Sequence, residues 1–120
     1  MKGAIRIKGI AGETIILQRI TACSNEKDNP LTYTHKLFYL LLLRYALKHG
    51  EQQDDGSLRV CISEKFMSET FSIAPRMVTQ SLRILSVNGI LLRRENEQKG
   101  FQRKPSETIL LPQFFLKGES

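Results

Sequence analysis

Cysteine is scarce in this chain, and its two copies, Cys23 and Cys61, are too far apart to act as a metal-ligand pair. The histidines are as sparse. His35 and His49 are the two present, and neither has a neighbour at ligand spacing. No metal centre is expected from such a set. No secretory leader is visible, so both cysteines read as free thiols of a reducing, cytoplasmic compartment. Long apolar runs are missing as well. The strongest, residues 37–43, is bracketed by Lys36 and Arg44 and falls far short of the roughly 20 residues a membrane span needs. A glycine-rich phosphate loop and a Gly-x-Ser-x-Gly elbow are absent. So are internal repeats and low-complexity tracts. The paired acids Asp54 and Asp55 belong to an Asp-Gly turn, where their use is structural. With no base and orienter in view, no catalytic residue, no cofactor and no enzymatic activity are expected.

Acidic residues are also in deficit. Eighteen Lys and Arg stand against 12 Asp and Glu, giving a net charge of +6 and a pI near 9.6. Such a balance favours a polyanionic partner, nucleic acid before an anionic membrane surface. The excess is uneven. Residues 1–24 are net +3, residues 25–71 net −1 and residues 72–120 net +4. At 120 residues and 41% hydrophobic, the chain can bury one core and hardly two.

Read in order, residues 4–20 alternate early, are rich in isoleucine and bend between Gly9 and Gly12. They predict a β-hairpin over 4–8 and 14–20, an extension occupying residues 1–24. A polar connector follows. A helix should start near Thr32 or Thr34 and run to His49, with Gly50 ending it. That 34–49 helix is apolar nearly all round, which implies burial on several sides. It is either wrapped by the hairpin and the C-terminal tail or is the interface of a homodimer, a role the hairpin could also take. Residues 58–62 predict a short strand in which Cys61 fills a small core position. Pro112 ends the last strand, and a tail over 113–120 brings two phenylalanines back to the leucine-rich helix.

Residues 63–94 organise the rest. Ser63 can cap a short helix bearing Phe66, Met67 and Phe71. Ser72 and Ile73 break the pattern, and Pro75 suits the first position of a new helix. Val78, Leu82 and Leu85 then recur as one apolar stripe. Arg76, Thr79, Gln80 and Arg83 fall together on another side. Gly89 marks a left-handed stop, and Ile90, Leu91 and Leu92 read as a strand.

The run Ile73, Ala74-Pro75-Arg76, Val78, Leu82, Leu85, Asn88-Gly89-Ile90-Leu91 resembles the helix-turn-helix of the winged-helix family of DNA-binding domains. The likeness covers residues 31–112. One departure is Ala74, at a cap position where family members usually carry a side-chain oxygen. The fold implied is α+β, a winged helix-turn-helix with the additional N-terminal β-hairpin. The partner implied is double-stranded DNA. The second helix would enter the major groove, where arginine suits guanine, glutamine suits adenine and threonine suits phosphate or a thymine methyl. The wing would span 93–106 and lay Arg93, Arg94, Lys99, Arg103 and Lys104 along the backbone. Such a chain serves as a transcription regulator or as a plasmid or phage replication, partition or conjugation factor. The alternative is a winged-helix protein-interaction module without DNA contact, using the apolar helix and the hairpin.

Overall fold

A computed structural model describes residues 9–23, 30–94 and 106–117. Among these the fold is α+β, with five helices and a four-stranded antiparallel sheet.

The first helix, α1 (Glu13–Ala22), corrects the predicted hairpin. Residues 14–20 are not a strand; residues 4–8 lie outside the described residues. Isoleucine favours extended chain, but Ile16 and Ile20 stand one helical turn apart and are both buried, while Thr14, Ile15 and Gln18 face out. Tertiary burial at period 3.6 thus overrides the β-preference of isoleucine. Glu13 in the first turn and Arg19 in the last both suit the helix dipole.

The leucine-rich helix is α2 (Tyr33–His49), with Thr32 at its N-cap and Gly50 at its C-cap. His35 sits where a capping box places its polar partner. Its Nδ1 accepts the Thr32 backbone N–H at 3.2 Å. The helix is apolar on more than one side, as expected, but only one side is fully buried. Phe38, Tyr39, Leu42, Leu43 and Ala46 form its core side, whereas Leu37 is exposed and Leu40 and Leu41 half-buried.

After β1 (Glu51–Gln52) the chain turns tightly. Gly56 takes φ +93°, and Asp55 accepts from both the backbone N–H and the hydroxyl of Ser57, at 2.9 and 2.6 Å. Then come β2 (Leu58–Cys61), α3 (Glu64–Phe71), α4 (Pro75–Val87), β3 (Leu91–Arg94), β4 (Glu107–Leu110) and α5 (Pro112–Phe115). Strand order is β1-β2-β4-β3. Pro112 ends the last strand as expected but also opens a one-turn helix.

Register decides which sheet residues are buried. Leu58, Leu110 and Leu91 are cross-strand partners, all fully buried; burying each contributes roughly 1.5–3 kcal/mol. The alternate positions form the outer face, where Arg59, Ile109 and Leu92 make one row and Cys61, Glu107 and Arg94 the next. Cys61 is therefore exposed, not the small core residue its strand-like setting predicts. Its neighbours Val60 and Ile62 alternate correctly, but the pleat sends the sulfur outward.

Helix α2 packs against α4, α3 and β2, and α4 packs against α3 and β3. The N-terminal segment and the tail close on each other. Ala11 N–H reaches Phe115 O at 2.9 Å, and Lys117 N–H reaches Gly9 O at 2.8 Å. Phe114 and Phe115 are buried, with α5 resting on α1 and α1 on α2.

Candidate nucleic-acid interface

The site is built from the α3–turn–α4 unit and the two strands that follow. Ser63 caps α3, its hydroxyl accepting the Phe66 N–H at 3.0 Å. Ser72 ends α3 with φ +57°, the left-handed setting that reverses the chain. Ser68 bridges the turn by donating its hydroxyl to Ile73 O at 2.5 Å. Pro75 then opens α4, and Ala74 before it offers no side-chain cap.

Helix α4 stops through a Schellman motif. Ile90 N–H bonds Leu85 O at 2.9 Å, Gly89 N–H bonds Ser86 O at 3.0 Å, and Gly89 takes φ +74°. The Asn88 amide adds a bond to Ile84 O at 2.9 Å. This corner directs the chain into β3, which pairs with β4 along its whole length. A paired ribbon therefore does follow the glycine stop.

Val78, Ser81, Leu82, Ile84 and Leu85 bury one side of α4. Arg76, Thr79, Gln80 and Arg83 are all exposed on the other. Arg76, Gln80 and Arg83 make no side-chain hydrogen bond or ion pair to the described residues. Thr79 is different, for its hydroxyl is 2.6 Å from Glu64 Oε1.

Glu64 is the residue that sequence reasoning missed. Its second oxygen accepts from Arg93 at 3.2 Å, and Arg93 also donates to Thr108 Oγ1 at 2.7 Å. One carboxylate thus ties α3 to α4 and to the β3–β4 ribbon. The pleat turns Arg93 toward the helices and Arg94 to the outer face, so the two adjacent arginines differ in setting. Arg93 is only 20% exposed in its side chain and serves the fold; Arg94 is exposed. Lys99, Arg103 and Lys104 lie outside the described residues.

A cleft of about 370 Å³ separates α4 from the ribbon. Thr79, Leu82, Arg83, Ser86 and Val87 line it from α4 and Arg93, Arg94 and Ser106 from the ribbon, with Glu64 of α3 also in the lining. Arg94 turns to the outer face, so the guanidinium groups on the cleft side are those of Arg83 and Arg93, which with three hydroxyls stand against one carboxylate. Behind Arg83 lies buried His35, whose pKa is held below its ordinary value by burial and then by the positive field of Arg83. On the outer face, Arg59 donates to both Glu51 and Glu107 at 2.9 Å. That hydrogen bond, with Arg94 adding its charge, holds the Glu107 carboxyl below the usual carboxylate range.

No helix among the described residues is long and apolar enough to cross a membrane. No protein-family model and no curated protein matches the chain. Two solved structures share the fold. One is described as "N-Terminal domain of DNA binding protein", the other as "Structure of Rep-DNA complex". Each is 22% identical, with a TM-score of 0.56, over 78% of this chain and 70% of the other.

Proposed function

We propose that this chain is a winged helix-turn-helix that binds double-stranded DNA, with α4 in the major groove and the β3–β4 ribbon along the backbone. One observation carries the reading. The exposed side of α4 presents Arg76, Gln80 and Arg83 with no partner among the described residues, beside a ribbon that exposes Arg94. A major groove about 12 Å wide admits a helix, and these side-chain types match base edges and phosphates. The likeness in fold to a structure described as a Rep–DNA complex favours a replication role over transcription control. The activity is binding, with no reaction assigned.

Fluorescence anisotropy on labelled duplexes at two salt concentrations tests this. Affinity should fall steeply as salt rises, because bound phosphates release counterions. Arg76→Ala or Arg83→Ala should cost about 1–3 kcal/mol on a selected site and much less on random duplex. Arg94→Ala should weaken both alike. Weak binding that is flat with salt would sink the reading and favour a protein-interaction module.

A further inference from the structure

Four apolar side chains follow one another at four-residue spacing along α2: Tyr33, Leu37, Leu41 and Tyr45. That spacing makes a single ridge on a helix. It lies away from the core side, on which α4 is packed. Tyr33 is 72% exposed and Leu37 41%, and Leu41 and Tyr45 are half-buried. Phe66 of α3, itself exposed, extends the ridge by an edge-to-face contact with Tyr45 at 5.6 Å. Contiguous apolar surface of this kind marks a contact site.

Its charge border selects the occupant. Arg44 and Lys48 stand two helical turns beyond Leu37 and Leu41, so they run beside the ridge. Helix α2 carries Lys36, Arg44 and Lys48 and has no Asp or Glu in 17 residues. A second copy of α2 would set these cations against their own kind. Arg44 is already paired with Glu13 at 3.1 Å, which leaves Lys48 as the cation of this border that calls for an acid.

We infer that the Tyr33–Leu37–Leu41–Tyr45 ridge docks an amphipathic helix of another protein, with leucine-type residues on its inner row and Asp or Glu on its flanks. Apolar side chains at i and i+4 of the partner fill the gaps along the ridge, and its acids meet Lys48. The inference stands whether or not α4 binds DNA.

The test uses the full chain and two labelled peptides with leucine at every fourth position, one flanked by glutamate and one by lysine. The glutamate peptide should bind saturably in the micromolar range and the lysine peptide at least about tenfold more weakly. Leu37→Ser and Lys48→Glu should each weaken the glutamate peptide by about tenfold. Circular dichroism should show both variants folded, and their DNA titrations should match wild type. Equal binding of the two peptides, or no effect of either variant, overturns the proposal. So does sedimentation showing a micromolar dimer that Leu37→Ser dissolves, since the occupant would then be a second copy.

Discussion

Two buried polar side chains set the behaviour at the scale of single residues. His35 accepts the Thr32 N–H and sits under Arg83, and burial and that charge both resist its protonation. An unfolded histidine takes up its proton near about pH 6.5, whereas the folded ring does so lower. Between those values the unfolded chain binds more protons. The stability from neutral His35 is therefore in place above about pH 6.5 and is lost as pH falls through the folded value. Urea titrations between neutral and mildly acidic pH should show this decline, and His35→Gln, which keeps an acceptor for Thr32, should flatten it. An unchanged slope in the variant would remove His35 as the cause. Tyr39 is fully buried, and its hydroxyl has no hydrogen-bond partner among the described residues. Burial raises its pKa, so it stays neutral. Tyr39→Phe removes an unmet polar group and should leave stability unchanged or raise it by up to about 1 kcal/mol in thermal melts. The residue types on α4 were readable from spacing, because 76, 79, 80 and 83 share a side of any helix. Glu64 was not readable. Its partners lie 15 and 29 residues on, and only folding brings them together.

At the scale of elements, legibility followed the strength of local stop and start signals. Helix α4 carries proline at its first position and glycine past its end, and both do what their backbone chemistry dictates. Ser63 and the Asp-Gly turn were legible for the same reason, whereas Gly50 ends α2 in extended backbone at φ −83°, where a side chain would collide with Ala46 O. Helix α1 was hidden because nothing local caps it. Gly12 makes no side-chain bond, and five of the ten residues are isoleucine or threonine. What fixes α1 is distant: Arg19 donates to Leu116 O at 2.6 Å and to Gln113 O at 3.2 Å, across the other end of the chain. Where a local signal is weak, it can be strengthened or removed on purpose. Ala74→Ser would give α4 the cap it lacks and should stabilise the fold by about 1 kcal/mol. Gly89→Ala meets no atom within 4 Å, so its cost comes from the left-handed φ alone, about 1–2 kcal/mol. Denaturant midpoints of the two variants should therefore move in opposite directions. A loss of stability in Ala74→Ser would mean that the Ala74 backbone does not act as a true N-cap.

At the scale of the whole molecule, folding spends some of the positive charge and leaves the rest exposed. Arg44, Arg59 and Arg93 are paired with Glu13, with Glu51 and Glu107, and with Glu64. The α4 arginines have no such pairing among the described residues, and Arg83 is the one of them that lines the α4–ribbon cleft. Glu64 is the single acid in that lining. Its role in the fold and its effect on an anionic partner pull in opposite directions. The Glu64–Arg93 pair is partly exposed, 41% and 20% of the two side chains, so losing it should cost about 1 kcal/mol of stability. Glu64→Gln keeps one acceptor, which can serve Arg93 while its amide N–H donates to Thr79 Oγ1, and removes one negative charge from the path of a phosphate. If the cleft receives DNA backbone, this variant should bind random duplex more tightly. Its plot of log affinity against log salt should steepen by up to about 0.9, the value for one more neutralised phosphate. Unchanged or weaker binding by a variant that melts within a few degrees of wild type would mean that phosphate does not enter the cleft, and that α4 meets DNA from another side.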